Sequence, residues 1–165
     1  MKLRPALATE RQAVAAVHTA SWRDSYRDLI DPGYLADIDR RMALQWEEKA
    51  IGADDLLLVA ETDQIAGFLF ARGGDPAFIN SLHVLPGQRS QGIGARLMAE
   101  AARRFLDAGS TGAYLDVLTT NHRAIALYQR LGGIPGAVKA KEVGGVMLPN
   151  LRIDFPDLRA IIAAA

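Results

Sequence analysis

The sequence predicts a mixed α/β domain in which helices cover a central sheet. Two observations lead there. Strand-like segments cluster in the middle of the chain and again at its end, with helical patterns before and between them. One β-rich segment, Phe78 to Val84, also runs through a Pro-Gly break into a glycine-bearing loop and then a long helix. The order is β, α, α, β, β, β, α, β, α, β, β, with about seven strands and about four helices.

Each element has its own reason. Lys2 to Leu7 reads as a short first strand. Thr9-Glu10-Arg11-Gln12 has the form of a capping box, with Thr9 as N-cap and Gln12 reaching back. Val14, Val17, Trp22 and Tyr26 carry an apolar face onward from it. Asp31-Pro32 starts a second helix, which repeats Leu35, Ile38, Met42 and Trp46 and is expected to end at Gly52. Leu56 to Glu61 and Gln64 to Arg72 are strands joined by a turn at Thr62-Asp63, and Gly73 to Pro76 turns the chain into the next strand. Ile93, Leu97, Ala101 and Phe105 mark a helix that stops near Gly109. Ala113 to Leu118 is a strand and His122 to Leu131 a helix closed by Gly132-Gly133. Ile134 to Val143 and Val146 to Phe155 are the last two strands.

Composition narrows the function. Lys+Arg and Asp+Glu balance at 19 each among 165 residues. The chain therefore lacks the clustered cations that give affinity for a nucleic-acid backbone. It has no cysteine, which excludes disulfides, thiolate metal sites and a cysteine nucleophile; no metal site is expected. No apolar stretch approaches the roughly 20 residues that span a bilayer, and no signal-peptide core is visible, so a cytoplasmic protein without membrane attachment is expected.

The loop at Arg89-Ser90-Gln91-Gly92-Ile93-Gly94 opens onto a helix N-terminus, where backbone N–H groups converge and the helix dipole favours an anion. A phosphate or pyrophosphate is the expected ligand. A P-loop is ruled out because no lysine follows Gly94. The dinucleotide fingerprint needs a third glycine where Leu97 stands.

Leu82-x-Val84 followed by Arg89-x-x-Gly92-x-Gly94 resembles the acetyl-CoA loop of the GCN5-related N-acetyltransferases (GNAT). A second stretch, Asn121-x-x-Ala124-x-x-Leu127-Tyr128-x-x-x-Gly132, resembles another motif of that family, with Gly133 where phenylalanine is usual. The element order is similar too, over nearly the whole chain. The resemblance implies one N-acetyltransferase domain over residues 1–165, with the GNAT fold and its mostly antiparallel sheet. It also implies acetyl-CoA as cosubstrate and direct transfer of the acetyl group to a primary amine of a small molecule or peptide.

The resemblance further implies roles for particular residues. Arg89, Ser90, Gln91, Gly92, Ile93 and Gly94 would cradle the pyrophosphate. Backbone amides of Leu82, His83 and Val84 would hold the thioester oxygen as it gains charge. Tyr128 matches the acid that protonates the leaving thiolate, although tyrosine with Ala124, Leu127 and Leu131 around it also suits a core. Asn121 contacts the pantetheine arm or caps its helix. Asp116, in Leu115-Asp116-Val117, stands where relatives carry a glutamate proposed as base; it is otherwise a solvated strand residue. Relatives that place a base on the preceding strand use positions matching Phe78 and Asn80; the first cannot act so, and the second could only order a water. Strand alternation sets His83 on the face opposite Asn80 and Leu82, which leaves it between a catalytic and a packing role. Transfer without a base, water carrying off the proton, is the further alternative.

Trp22 and Tyr26, four apart on one helical face, would wall the acceptor pocket or pack on the core. Asp24 and Asp28 beside them could attract a cationic amine, and Glu142 could stand near the pocket mouth. Self-association through the last strands, as a homodimer, is compatible with the fold. The competing reading is a non-catalytic acyl-CoA-binding regulatory domain, for which Tyr128 would be superfluous.

Overall fold

The computed structural model describes all 165 residues and forms one seven-stranded sheet. The strands are β1 (Lys2–Pro5), β2 (Leu56–Glu61), β3 (Ile65–Arg72), β4 (Ala77–Val84), β5 (Ala113–Leu118), β6 (Ile134–Val143) and β7 (Val146–Phe155). Their order in the sheet is β1-β2-β3-β4-β5-β7-β6. Every neighbouring pair is antiparallel except β4 and β5.

Six α-helices cover it: α1 (Arg11–Ser25), α2 (Pro32–Ala36), α3 (Ile38–Glu48), α4 (Ile93–Asp107), α5 (His122–Arg130) and α6 (Leu158–Ala164). The expected second helix is thus two. Asp37 interrupts it with φ −95° and ψ 6°, and its carboxylate pairs with Arg40 at 2.7 Å and Arg41 at 3.2 Å in the first turn of α3. The apolar spacing survives the break: Ile38, Met42 and Trp46 are all buried, and Lys49 ends the helix before Gly52. Thr9 does not cap α1 either. Ala8–Glu10 form a single 3-10 turn, and Glu10 rather than Gln12 reaches back, accepting from the Leu7 N–H at 2.7 Å while its oxygens bind Arg4. The sixth helix is an addition: Asp157 accepts from the Arg159 N–H at 2.9 Å, and Leu158 and Ile161 are buried.

The sheet separates two cores. On one face Leu97, Met98 and Phe105 of α4 meet Leu115, Ile153 and Phe155. On the other, Val14 and Val17 of α1 and Met42 and Trp46 of α3 meet Phe68 and Phe70 of β3. β3 is buried on both faces, which is why it reads as a continuous apolar run. Each fully buried side chain of this size contributes about 1.5–3 kcal/mol.

Two irregularities in β4 position the site. Its register on β3 shifts between Ile79, opposite Ala71, and Ser81, opposite Phe70, so Asn80 is an extra, bulged residue. Its pairing with β5 lasts for only Ala77↔Ala113 and Phe78↔Tyr114. Beyond Phe78 the two strands part.

Candidate active site

The parted strands open a cavity of about 680 Å³, a size ordinary for a small-molecule site. Its walls are β4 from Ile79, β5 from Leu115, the loop before α4, the inner faces of α1 and α5, and the end of β6. The edge of β4 from Ile79 to Val84 that faces β5 has no strand partner, so its backbone polar groups are available to a ligand.

The loop leaves β4 through a single 3-10 turn, Pro86–Gln88, and enters α4 by way of Ser90 at φ +65° and Gly92 at φ +76°. The left-handed conformation at Gly92 favours glycine even though a Cβ there would meet nothing within 4 Å. Arg96 is the first residue of α4 whose N–H finds a helical acceptor, Gly92 O at 3.0 Å, and the N–H groups of residues 89 to 95 have no partner within the chain. Such a row of free donors at the positive end of a 15-residue helix fits a diphosphate. Gly94 serves packing: a Cβ there would lie 3.2 Å from Leu127 Cδ2 on α5.

Tyr128 projects from α5 into the same cavity. It is buried, with its ring edge-on to Phe155 at 6.3 Å. Burial pushes its phenol well above the ordinary tyrosine value, so it stays protonated at neutral pH. No buried polar side-chain atom in the protein lacks a hydrogen-bond partner, and the Tyr128 hydroxyl has none, so it opens to the cavity. Unpaired loop donors, an unpaired strand edge and a free hydroxyl open to the cavity together fit a long cosubstrate with a diphosphate at one end and a reactive carbonyl at the other.

The acetyltransferase (GNAT) family profile matches residues 16–133. The chain belongs to that family. As a GNAT protein it is an acetyl-CoA-dependent N-acetyltransferase, and amines are its acceptors. The chain is 25% identical to the uncharacterized N-acetyltransferase YuaI of Bacillus subtilis, over 96% of this chain and 95% of that protein. Among solved structures, a GCN5-related N-acetyltransferase of Rhodopseudomonas palustris superposes with a TM-score of 0.73 at 20% identity, covering 94% of each chain. YncA of Salmonella typhimurium, a putative acetyltransferase solved with acetyl-CoA, superposes with a TM-score of 0.70 at 19% identity over 94% of this chain and 93% of its own.

The cavity gathers most of the residues expected from the sequence: Trp22, Tyr26, Asn80, Leu82 to Val84, Arg89, Ser90, Gly92 to Gly94, Asp116, Asn121 and Tyr128. Gln91 is exposed and does not line it. Asn121 caps α5, accepting from the Ala124 N–H at 3.2 Å, and stands on the cavity wall as well. Asp116 is ion-paired with Lys141 of β6 at 3.1 Å. Trp22 and Tyr26 pack with ring centres 4.5 Å apart and planes tilted by 42°, and Tyr34 lies 6.3 Å from Trp22 with planes 29° apart.

Several side chains are placed differently from expectation. Asp24 does not wait for a cationic substrate, because its carboxylate is ion-paired with Arg89, whose guanidinium holds it below the ordinary carboxylate range. Arg89 also donates to Ser21 Oγ at 3.3 Å and to Val84 O at 3.2 Å, so the loop is tied to α1. Asp28 is exposed and outside the cavity, whereas Glu142 does line it. His18 and Ser21 of α1 and Arg123 of α5 also reach the cavity. His18 had a legible signal, since it precedes Trp22 by one helical turn on the face that carries Tyr26.

Proposed function

We propose that residues 1–165 act as one domain that transfers an acetyl group directly from acetyl-CoA to the primary amine of a small molecule or peptide, in the cytoplasm. The observation that carries this reading is the parting of β4 from β5 immediately beside the free loop amides and Tyr128. Acetyl-CoA supplies the activated carbonyl. The amides of Arg89, Ser90, Gln91, Gly92, Ile93 and Gly94 would hold its diphosphate, and the Asn121 side chain would lie along its arm. Backbone donors at Leu82 and Val84, on the edge of β4 away from β3, would receive the carbonyl oxygen as negative charge develops there, whereas the expected donor at His83 points toward Phe68 of β3. Tyr128, kept protonated by burial, would hydrogen-bond the leaving sulfur.

The acceptor would enter between α1 and β6, against Trp22 and Tyr26. Asp116, paired with Lys141 near Glu142 on the same wall, would take the ammonium proton through a water that Asn80 can help to hold. The chain has no cysteine for a thiol-linked acyl-enzyme, which favours direct transfer. The acceptor wall is aromatic and carries few free carboxylates, which favours a compact amine over a polycation. Self-association would use β6, an edge strand exposed over nearly its whole length. No helix is long and apolar enough to cross a membrane.

The test is thiol release from acetyl-CoA by the purified protein across polyamines, amino acids, aminoglycosides and peptide N-termini. Release that depends on one class of amine is the expected result. Tight acetyl-CoA binding without amine-dependent release from any class would remove the transferase reading.

A further inference from the structure

Two imidazoles lie in the acceptor half of the cavity with nothing yet to do. His18 of α1 and His83 of β4 lie against each other with ring centres 4.4 Å apart and planes tilted by 38°. Trp46, which can only donate, gives its Nε1–H to His18 Nδ1 at 3.0 Å. His18 therefore carries its proton on Nε2. His83 Nδ1 is 2.8 Å from Ser21 Oγ, which also accepts from Arg89. Both Nδ1 atoms are thus tied back to α1 and α3. Neither Nε2 atom has a partner, and no buried polar side-chain atom in the protein lacks one. Both Nε2 atoms therefore face open space, and the space that both rings line is the cavity.

The bulge at Asn80 helps to explain how His83 comes to be here. Opposite residues in an antiparallel pair share a face, so His83, opposite Phe68, faces α1, while Leu82, opposite Leu69, faces α4. His83 is thus on the acceptor side of the very strand whose edge would hold the thioester oxygen.

We propose that His83 Nε2 accepts the proton that the acceptor nitrogen loses as it becomes an amide. This deepens the transferase reading and rests on it. Ser21 Oγ accepts His83 Nδ1–H, which leaves the lone pair on Nε2. The amine nitrogen forms a bond to the carbonyl carbon, and the carbon–sulfur bond breaks with its electron pair going to sulfur. Sulfur takes the Tyr128 proton, His83 takes the nitrogen proton, and cavity water returns that proton from His83 to Tyr128. No net proton is gained or lost. His18 Nε2–H, fixed beside His83, offers a donor to an oxygen of the acceptor.

Burial and the Arg89 charge push His83 down to about 4, so it stays neutral at physiological pH. An imidazole that weak does not deprotonate a free ammonium, whose ordinary value is about 10. It is matched instead to the far more acidic nitrogen of the adduct, once the amine has arrived as the free base.

The experiment uses the full chain, with glycinamide, benzylamine and ethanolamine as probe amines. His83→Ala is expected to lower turnover about 10²-fold, the lower end of general-base effects, with acetyl-CoA affinity unchanged. Added imidazole is expected to restore at least a tenth of the lost rate, and substituted imidazoles of higher basicity to restore more. Turnover within threefold of the unaltered protein, or intact acetyl-CoA affinity without rescue, would overturn the proposal. An independent readout is the ¹⁵N spectrum of the histidine rings without cosubstrate: His83 is expected to be neutral with its proton on Nδ1, and His18 with its proton on Nε2. A His83 proton on Nε2 would also overturn the proposal. Should the unaltered protein acetylate none of the amines in the wider panel, the transferase reading fails, and the ring spectrum still decides whether His83 can accept a proton.

Discussion

Phe155 fills the space that a side chain at Gly133 would need. A Cβ on Gly133 would lie 3.0 Å from Phe155 Cε1, 2.6 Å from Ile153 Cγ2 and 2.8 Å from Tyr128 O. The Gly133 N–H donates to that same Tyr128 carbonyl at 2.9 Å, closing α5 just past Gly132 at φ +88°. An aromatic ring from β7 therefore occupies the space beside Gly133. The same ring packs edge-on against Tyr128.

Replacing Gly133 by phenylalanine should therefore destabilise the protein, by about 1–3 kcal/mol as for other overpacked cores. The same substitution combined with Phe155→Ala should lose less than the two single changes added together. Denaturant unfolding of the three variants measures this coupling, and additive losses would mean that the two rings do not compete for one site.

Much of this site was legible along the chain, and the remainder was not, for identifiable reasons. Gly92 and Asn121 announce their places because a left-handed loop and a helix cap are local structures. Trp22 and Tyr26 do so because one helical turn brings them onto one face. The division of the second helix at Asp37 is hidden because Leu35, Ile38 and Met42 keep their spacing across it. The parting of β4 from β5 and the bulge at Asn80 depend on strand pairing far apart in sequence, which no local pattern carries. The Arg89–Asp24 pair is likewise a contact between a loop and a helix 65 residues away.

Tyr128→Phe removes a hydroxyl that opens to the cavity without a partner in the protein, and leaves the ring packed on Phe155. Turnover should fall about 10²-fold or more, with acetyl-CoA affinity within about twofold of the original. Equilibrium binding by calorimetry beside steady-state kinetics makes the comparison. Equal losses in both would take Tyr128 out of the acid role.

Gly92 should behave in the opposite way. A valine there must adopt φ +76°, a region that β-branched residues avoid, and its side chain would stand over the free amides of the loop. Acetyl-CoA affinity should fall at least tenfold while the melting temperature changes by only a few degrees, since nothing packs against this position. Unchanged affinity would show that the diphosphate binds elsewhere.

The imidazole pair gives stability a pH dependence whose sign follows from burial. His18 and His83 are both held below the ordinary histidine value of 6.5, His83 at about 4; desolvation is the main cause for each, joined by Arg89 at His83 and by Lys49 and the neighbouring ring at His18. Above about pH 6.5 both rings are neutral folded and unfolded, so stability there does not depend on them. Below it the unfolded chain binds protons that the folded protein refuses, and stability falls as pH drops toward 4. His83 alone should cost about 2 kcal/mol between pH 7.5 and pH 5. Carboxylates add little in this window, because groups such as Glu10, held down to about 2 by Arg4, lose their stabilisation only below about pH 4.5. Urea unfolding at the two pH values should show the loss, and His83→Phe should remove that share of it; an equal pH dependence in the variant would mean that His83 is not buried as a neutral ring.

The Arg89–Asp24 pair ties the diphosphate loop to the helix that walls the acceptor pocket, so a change at Asp24 should be felt at both ends of the reaction. The pair is more than a surface contact on the Arg89 side, whose side chain is only 12% exposed, although Asp24 itself is 44% exposed. Asp24→Asn should therefore leave folding stability within about 1 kcal/mol, the usual scale for a partly exposed pair. The freed guanidinium would keep its bond to Val84 O but, without the charge that draws it toward α1, would leave Ser21 Oγ. With Asp24 neutral, Arg89 becomes available to the diphosphate, and acetyl-CoA should bind more tightly at low salt, by roughly threefold to tenfold, the gain shrinking as salt screens it. The same release removes the second donor from Ser21 Oγ, so KM for the amine should rise while the cosubstrate binds better. Calorimetric titration of acetyl-CoA at two salt concentrations, together with KM for the preferred amine, separates these effects. A variant that binds acetyl-CoA more weakly would show that Asp24 holds Arg89 in its binding position instead of competing for it.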